Sequence, residues 1–380
     1  MKTTTAIDIF STFQSVDDPR MERTKLHCLY EMIVIAVCAA ICGAEGWVDV
    51  ERFGRSKLDW FRKFLPLENG IPSHDTFGRV FARLDTEQFY TCLTGWLEVF
   101  GQSMQGQAVA IDGKTLRRSF DKATGRKAVH VVSAWASGLK ICLGQVAVDE
   151  KSNEIPAVPR LPEFLELSGA VVTLDAMHCQ QETASAIRNK GADYILPVKG
   201  NQPKLMSLIG EIFEKHGEDN YKSREVRTHR TQETNRQRDE IRICTVAPAP
   251  ASLKKGGQWA GIKTIGMMYR FRGVQKDQPE EAITYFISSL PPRVKRISSH
   301  LRDHWGIENS LHWILDVTFA EDASRIRKGT APEISSIFRR MALSILQQDT
   351  SLKSSIRGKR LQAGWNTKLL EQILTAFNPL

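Results

Sequence analysis

The sequence predicts an α/β fold in which helices flank a mixed sheet, with a helical N-terminal domain before the sheet and a β-rich insertion within it. Apolar residues recur at helical spacing up to about residue 100. Short apolar runs typical of strands follow from residue 108. The order of elements after that point is strand, strand, strand, helix, strand, helix, strand, which is typical of an α/β sheet.

The first 100 residues are predicted to form the helical domain. A strongly apolar stretch runs from Leu29 to Ala44, and large apolar residues recur at helical spacing within 60–65. A further helix is predicted to begin after Ser73, because a serine hydroxyl can cap the first helical turn. Its apolar stripe consists of Phe77, Val80, Phe81 and Leu84.

The β-type runs begin after segment 101–107, which contains two glycines among polar residues and is interpreted as a domain boundary. The first and third runs are nearly continuous in apolar residues, as expected for strands covered on both faces. The predicted strands are 108–111, 129–135, 141–148, 170–174 and 194–198, and the predicted helices are 161–167 and 180–190.

The pattern loosens at about 200–280, which we interpret as an insertion into a catalytic domain at 101–350. Residues 351–380 are then a C-terminal tail, and 1–100 the N-terminal domain. The predicted strands in and after the insertion are 241–246, 262–271 and 281–290, and the predicted helices are 294–315 and an amphipathic 332–346.

Composition and charge indicate a folded, water-soluble protein with a polyanionic partner. Hydrophobic residues make up 42% of the chain and charged residues 25%, as in ordinary globular proteins. The seven cysteines are scattered without a Cys-x-x-Cys pair, which indicates reduced core residues. The net charge of +9 favours nucleic acid as the partner, because phosphates attract Lys and Arg.

No segment predicts a membrane span or a secretory signal. The longest uncharged apolar run, 32–44, is shorter than the roughly 20 residues that cross a bilayer. Acidic residues such as Asp8, Asp17 and Asp18 lie in the N-terminal region, unlike the basic start of a signal peptide. The expected location is therefore the cytoplasm.

Two aspartates end predicted strands. Asp112 follows the run 108–111, and Asp175 follows 170–174. Functional groups in open α/β sheets gather just beyond the strand ends, so both carboxylates are candidates for one site. The alternative is that Asp112 opens a turn with Gly113 and that Asp175 caps the following helix.

Glu308 is the third candidate acid. On a helix spanning 294–315 it falls near the middle of a stripe formed by Leu301, Trp305, Leu311 and Leu315, so it is predicted to face the core. Burying an ionised carboxylate is costly unless it is paired or binds a metal. The residue therefore needs a cationic partner.

His304 and His312 flank Glu308 on nearly the same face of this predicted helix, which leaves two interpretations open. One is zinc ligation, but the spacing His-Glu-x-x-His is absent and no cysteine lies nearby. The other, which we prefer, is that both histidine rings pack in a helix interface with their polar atoms hydrogen-bonded.

The three acids form a set of hard oxygen ligands that suits Mg²⁺ or Mn²⁺. A pair of such ions can activate the attacking oxygen and stabilise the leaving oxygen of a phosphodiester. Asp112, Asp175 and Glu308 are therefore predicted to be both catalytic and metal-binding.

Five segments contain the candidate acids and their neighbours: AIDGKTLRRS at 110–119, TLDAMHCQ at 173–180, VKGNQ at 198–202, HWGIENSLHW at 304–313 and LDVTFAED at 315–322. These motifs resemble those of the H-repeat-associated transposases of bacterial insertion sequences. The similarity runs in order over most of the chain, including its helical N-terminal part.

This resemblance implies a ribonuclease-H-like catalytic domain with an Asp, Asp, Glu (DDE) triad, which the motif matches put at Asp112, Asp175 and Glu308. It also implies the reaction. Such an enzyme nicks DNA at the ends of its element, and the freed 3′-hydroxyl then attacks target DNA.

The segment around Glu308 differs from that of the larger related group of transposases. That group often carries a Tyr, Arg, Glu, Lys signature around the last acid. This chain has Leu301, His304 and Leu315 at the Tyr, Arg and Lys positions. The roles of these side chains stay open, and Asp316 and Asp322 stay rival third ligands.

Basic and polar residues near the acids are predicted to hold DNA phosphates without reading the base sequence. The alternative for each is a solvated charged face. Recognition of the element's ends is expected in the helical N-terminal domain. The predicted contacts are Lys114, Arg117, Arg118, Lys199, Asn201, Arg227, Arg230, Arg236, Arg238 and Arg325, and their clusters also include Arg224, Arg242, Arg327 and Lys328.

Two other functions compete with that of a transposase. One is a nuclease of the same fold that cuts without joining, and the other is a DNA-binding remnant of a mobile element that has lost activity. The expected partners are double-stranded DNA, as element ends and as target, and a second copy of the chain, because two ends must be brought together.

Overall fold

A computed structural model of the chain describes residues 8–97, 104–148, 154–218, 221, 223, 225–235, 238–255, 257–274 and 277–376. The chain divides into two compact units. The first unit comprises Met1–Gln102, Gly113–Ala157 and Ile307–Leu380, and the second comprises Ser103–Asp112 and Val158–Gly306. Each unit is therefore assembled from segments that are far apart in sequence, and the predicted domain boundaries near residues 100 and 350 stay predictions.

The elements of both units are as follows, in chain order. The helices are α1 (Leu29–Ile41), α2 (Trp47–Ser56), α3 (Leu58–Phe61), α4 (His74–Phe81), α5 (Thr86–Leu97), α6 (Glu154–Ala157), α7 (Gln181–Asn189), α8 (Pro203–Glu218), α9 (Ala251–Lys255), α10 (Val294–His304), α11 (Trp313–Val317), α12 (Ala331–Gln348), α13 (Ile356–Trp365) and α14 (Thr367–Ala376). The strands are β1 (Ala108–Thr115), β2 (His130–Ala136), β3 (Ile141–Val148), β4 (Val171–Leu174), β5 (Asp193–Val198), β6 (Arg227–Asn235), β7 (Arg238–Pro248), β8 (Thr264–Val274) and β9 (Asp277–Ser288).

The sheet is mixed. In the second unit β1, β4 and β5 are parallel neighbours, and β9, β8, β7 and β6 follow as an antiparallel series. Strand β1 continues into the first unit, where β2 and β3 form an antiparallel hairpin. Within the second unit the strand order is β1-β4-β5-β9-β8-β7-β6. The predicted fold class, an α/β fold with a mixed sheet flanked by helices, is confirmed.

Two helices form the centre of the first unit. Every residue of α1 except Tyr30 is buried, as expected for a helix that is apolar on all sides. Helix α12 packs against α1, and every residue from Ala331 to Leu346 except Glu333 is buried. The prediction of an amphipathic helix at 332–346 is therefore wrong in one respect, because its polar positions, including Arg339 and Arg340, are internal.

Helix α4 begins where its capping residue predicts. The Ser73 hydroxyl accepts a hydrogen bond from the Thr76 amide, and Phe77, Val80 and Phe81 are buried. One orphan amide of the first turn is thereby satisfied, which in general stabilises a helix by about 1 kcal/mol. The sequence prediction of this helix is confirmed.

The core of the second unit lies between the sheet and α10. Val171, Ile195, Phe286 and Ile297 are buried in one cluster. Gly266 pairs with Phe286 across β8 and β9, and a Cβ atom at Gly266 would lie 1.9 Å from the Phe286 ring. A glycine is therefore required beneath this ring, which packs α10 onto the strands next to the candidate site.

The insertion is largely strand, as predicted, but it also contains helices. The predicted strand 241–246 lies within the longer β7, and the predicted strand 262–271 overlaps β8, which begins two residues later and ends three residues later. Helix α8 was not predicted, nor were α13 and α14 in the tail. In α8 the apolar residues Leu205, Ile209 and Phe213 recur at helical spacing and are buried, so this helix carried a local signal that the prediction missed.

Within the described part of the chain, no helix combines the length and apolarity needed to cross a membrane. All seven cysteines are free thiols, five of them buried. Cys28 is exposed and Cys42 half-buried, so the prediction of core cysteines holds for the other five.

Candidate active site

Two of the three predicted acids lie side by side in the second unit. Strands β1 and β4 run parallel, with Ile111 paired to Leu174, so that Asp112 and Asp175 come next on each strand. Neighbouring strands lie about 4.8 Å apart. The parallel pairing of β1 and β4 ends at Ile111 and Leu174, and both acids follow it directly. Asp175 comes after the last residue of β4, as predicted, but β1 runs on through Asp112 and Gly113 to Thr115. The predictions that Asp112 ends its strand, or opens a turn with Gly113, are therefore wrong.

Asp175 does not act as a helix cap. It precedes a short 3₁₀ turn, Ala176–His178, and its side chain makes no capping hydrogen bond. The side chain is 62% exposed. The alternative that Asp175 only caps the following helix is therefore not supported, and its carboxylate is available to a ligand.

His304, the last residue of α10, contacts Asp175. Its Nε2 lies 3.5 Å from Asp175 Oδ1, and its Nδ1 lies 3.0 Å from the hydroxyl of Thr173 on β4. If the threonine hydroxyl donates to Nδ1, the Nε2–H donates to the carboxylate. This hydrogen bond from His304 is the main cause that lowers the pKa of Asp175. His304 thus orients an ionised Asp175.

The loop after β5 supports the segment that follows Asp175. Asn201 Nδ2 donates to the carbonyl oxygen of Ala176 at 2.9 Å, and Gln202 Nε2 donates to that of Cys179 at 2.9 Å. The side chain of Asn201, predicted to contact DNA, therefore binds the protein backbone. The motif at 198–202 supports the Asp175 turn.

Glu308 is exposed, and the prediction that it faces the core is wrong. The long helix predicted at 294–315 is interrupted, because α10 ends at His304 and a π-helical turn runs from Glu308 to His312. The wider turn shifts the buried stripe to Ile307, Leu311 and Leu315. Trp305 is 49% exposed. Such turns occur often at functional sites, and this one begins at the predicted acid, in the first unit.

Lys114 lies inside a cluster of charges in the first unit, the Lys114 cluster, formed by Lys114, Asp316, Glu321, Asp322 and Arg340. The Lys114 ammonium contacts Asp316, Glu321 (3.1 Å) and Asp322 (3.1 Å). Arg340 on α12 pairs with Glu321 at 2.8 Å. The Lys114 side chain is 9% exposed, so it is placed as an internal ion-pair partner and we leave it out of the proposed phosphate contacts.

Glu321 is the fully buried centre of the Lys114 cluster. Burial by itself raises the pKa of Glu321, but the attraction of Arg340 and Lys114 outweighs burial and lowers it to about 2. Glu321 is therefore ionised at neutral pH. Burying a charged carboxylate is costly unless it is paired, and Glu321 has two cationic partners.

The Lys114 cluster also bears on the rival third ligands. Asp316 and Asp322 are both ion-paired with Lys114, and Arg117 Nε lies 3.1 Å from Asp322 Oδ2. A metal ion at either acid would have to displace an ammonium group. These contacts favour Glu308 over both rivals.

The donor chemistry of the acids fits a hard cation. Carboxylate oxygens are the ligands that Mg²⁺ takes in proteins, usually one or two together with waters and phosphate oxygens. Among the residues that the structure describes, no group of three or more His, Cys, Asp or Glu side chains is placed to hold a metal ion. Burial lowers the pKa of His312 to about 3, so this histidine is neutral at neutral pH.

The other predicted phosphate contacts are spread over both units. Arg117, Arg118 and Arg325 are exposed in the first unit, and Lys199, Arg227 and Arg230 are exposed in the second. Arg236, Arg224 and the side chain of Arg238 lie outside the described residues. Arg242 pairs with Glu240 at 2.7 Å, Arg327 lies 4.6 Å from the Phe120 ring centroid, and Lys328 is exposed.

Sequence reasoning missed Glu321 and Arg340. Glu321 lies within the motif at 315–322, where only the two aspartates were considered. The signal for Arg340 was the pair Arg339-Arg340 within the helix that the pattern assigned to the surface. Consecutive residues point about 100° apart around a helix, so two successive arginines between apolar residues indicate that at least one is internal and paired.

Two known family descriptions match most of the chain. Residues 103–345 match the family described as "Transposase DDE domain", which covers more than half of the chain, and residues 10–97 match that described as "DDE_Tnp_1-associated". A cryo-EM structure of a piggyBac transposase synaptic complex with hairpin DNA is similar at a TM-score of 0.42 and 11% identity, covering 99% of this chain and 80% of that one.

Curated relatives match along nearly the whole length. The protein named "Putative transposase YncI" from Escherichia coli O157:H7 is 38% identical over 96% of this chain and 94% of its own. "H repeat-associated putative transposase YhhI" from Escherichia coli K12 is 38% identical over 92% of each chain. The chain therefore belongs to the DDE transposase family, in the group of the H-repeat-associated transposases.

Proposed function

We propose that the chain is an active DDE transposase that nicks DNA at the ends of an insertion sequence and joins the freed 3′-hydroxyl to target DNA. Asp112, Asp175 and Glu308 are the proposed catalytic and metal-binding residues. The observation that carries this proposal is that Asp112 and Asp175 directly follow the last paired residues, Ile111 and Leu174, of two adjacent parallel strands, within the segment that matches the transposase domain.

The proposed cofactor is a pair of Mg²⁺ or Mn²⁺ ions. When bound, such ions would activate the attacking oxygen and stabilise the leaving oxygen of the phosphodiester. The protein supplies carboxylates at fixed positions. His304 and Thr173 orient Asp175, and the hydrogen bond from His304 favours its charged form. The π-helical turn presents Glu308 on an exposed surface.

Double-stranded DNA is the proposed partner, as element ends and as target. Exposed cations can hold phosphates beside the acids, and the net charge of +9 favours their approach. The helical N-terminal residues are proposed to recognise the ends. A homodimer is proposed because two ends must be joined to one target. The proposed phosphate contacts are Arg117, Arg118, Lys199, Arg227, Arg230, Arg236, Arg238 and Arg325.

A joining assay tests the function. Purified protein and Mg²⁺ are mixed with a supercoiled plasmid and a duplex that carries the DNA bordering the chain's own coding region, pre-cut to expose its 3′ end. We expect the duplex to become covalently joined to the plasmid. Hydrolysis without joining would instead identify a nuclease, and binding without either reaction would identify an inactive remnant. Omitting Mg²⁺ while keeping DNA binding serves as the control.

The salt dependence of DNA binding tests the phosphate contacts. Each neutralised phosphate contributes about 0.9 to the slope of log K against log salt. Arg230→Gln is therefore expected to lower the slope by about 0.9, measured by fluorescence anisotropy with duplex DNA. Lys255→Gln removes one exposed charge from the same unit and should leave the slope unchanged. Equal effects of the two substitutions would contradict a specific contact at Arg230.

A further inference from the structure

The Lys114 cluster uses all the hydrogen-bonding capacity of the lysine. An ammonium group carries three N–H donors and no acceptor. In this cluster it contacts three carboxylates, those of Asp316, Glu321 and Asp322. No donor is left for a phosphate, so the function of Lys114 has to be sought inside the protein.

The charges of the Lys114 cluster balance only when Lys114 is present. Lys114 and Arg340 face three carboxylates, and Arg117 contributes a further positive charge at the more exposed edge, beside Asp322. Glu321 also accepts a hydrogen bond from the buried Ser336 hydroxyl at 3.2 Å. Without Lys114, carboxylates that lie close together would repel one another, and the local chain segments would separate.

The position of Lys114 in the chain relates the cluster to the acids. Side chains alternate along a strand, so Lys114 follows Asp112 as the next residue on the same face of β1. Asp316 lies in α11, which directly continues the π-helical turn that begins at Glu308. The segment that carries Asp112 and the segment that carries Glu308 therefore each contribute a charged residue to the Lys114 cluster.

We propose that Lys114 is a positioning residue for catalysis: its ammonium, held by Asp316, Glu321 and Asp322, ties the end of β1 after Asp112 to the helix after Glu308. This inference rests on the proposed function. It assigns Lys114 to the geometry of the acids and not to DNA binding. Both acids stay at their working positions only while the cluster is complete.

The substitution Lys114→Met tests the proposal, because it keeps the length of the side chain and removes its charge. The rate of plasmid nicking is measured in single turnover at saturating DNA. We expect a loss of about 100-fold, as a displacement of about 1 Å produces in positioned active sites. The affinity for DNA and its salt slope should stay unchanged. Lys140→Met, at an exposed position in the turn between β2 and β3, is the matched control.

Metal binding supplies a readout that does not depend on the reaction. Titration with Mn²⁺ alone, followed by electron paramagnetic resonance, is expected to show weaker binding to Lys114→Met than to the unsubstituted protein. Equal affinities would overturn the proposal, whether or not the protein joins DNA. A salt slope lowered by about 0.9 with unchanged Mn²⁺ binding would identify Lys114 as a phosphate contact and overturn it as well.

Asp316→Asn covers the case in which Lys114→Met does not fold. Asp316 is 33% exposed, and the asparagine oxygen can still accept from Lys114, so Glu321 keeps both cationic partners. A loss of about 10-fold in nicking with unchanged DNA binding is expected from a smaller displacement. An unchanged nicking rate in Asp316→Asn would overturn the proposal. So would a loss of Mn²⁺ binding in Asp316→Asn as large as the loss in Asp112→Asn, because Asp316 would then be a metal ligand. Failure of the proposed function would be distinct, because the unsubstituted protein itself would then fail to join DNA.

Discussion

Asp112→Asn, Asp175→Asn and Glu308→Gln are each expected to lower the rates of DNA nicking and joining by at least about 10³-fold. Each substitution replaces a charged oxygen ligand with a neutral amide of the same shape. Metal ions stabilise the charge that develops in phosphoryl transfer by several kcal/mol, and each 1.4 kcal/mol corresponds to a factor of ten in rate. Binding of DNA should be retained, because none of the three acids attracts phosphate.

These rates are best measured in single turnover with Mg²⁺, beside DNA affinity by fluorescence anisotropy. Asp59→Asn, at an exposed position of α3, is the control for Asp-to-Asn substitution and should keep full activity. Unchanged nicking in Glu308→Gln would remove that residue from the triad and return attention to Asp316 and Asp322. Unchanged nicking in either aspartate variant would contradict the proposed mechanism itself.

The second large effect is on stability. Arg340→Leu is expected to lower the free energy of unfolding by about 3–5 kcal/mol, because removing one partner of a buried ion pair leaves the other charge uncompensated. The Arg340 side chain is 3% exposed, and it pairs with the fully buried Glu321. It also donates through Nε to the buried Ser133 hydroxyl at 3.2 Å. Urea denaturation followed by tryptophan fluorescence measures the change.

Arg357→Leu serves as the control, since this exposed arginine on α13 should change stability by less than about 0.5 kcal/mol. The pH dependence gives a second test. The pKa of Glu321 is lowered to about 2, so its ionised form contributes stability that is complete above its ordinary pKa of 4.5 and is lost as the pH falls toward 2. Without Arg340 that pKa rises, so acid unfolding should begin at a higher pH. Equal acid transitions in both proteins would contradict this account.

Elements whose signals are local were predicted well. The runs at 108–111 and 141–148 became β1 and β3, since continuous apolar residues favour strands that are covered on both faces. Ser73 indicated the start of α4 because a cap acts within one helical turn. The proximity of Asp112 and Asp175 was predicted because both follow apolar runs, which pair as parallel neighbours up to Ile111 and Leu174, although β1 itself continues past Asp112.

Predictions that required knowledge of burial were less successful. A single helix at 294–315 was inferred from apolar residues at a period of 3.6, but the π-helical turn at Glu308 changes that period and exposes the acid. Helix α12 has polar positions that the pattern assigned to solvent, whereas in the protein they contact α1, β3 and the Lys114 cluster. Periodicity reports which residues share a face. It does not report what covers that face.

The sequence by itself determined the class of fold, the apolar strand runs that precede Asp112 and Asp175, and the resemblance to a transposase family, because each depends on residues near one another in the chain or on whole motifs. Only the tertiary structure decided that Glu308 is exposed and that Lys114 is internal. The contact between Lys114 and Asp316 joins residues 202 positions apart. Whether a lysine meets solvent, phosphate or carboxylate is set by such distant partners, since the cost of burying its charge depends on which groups surround it.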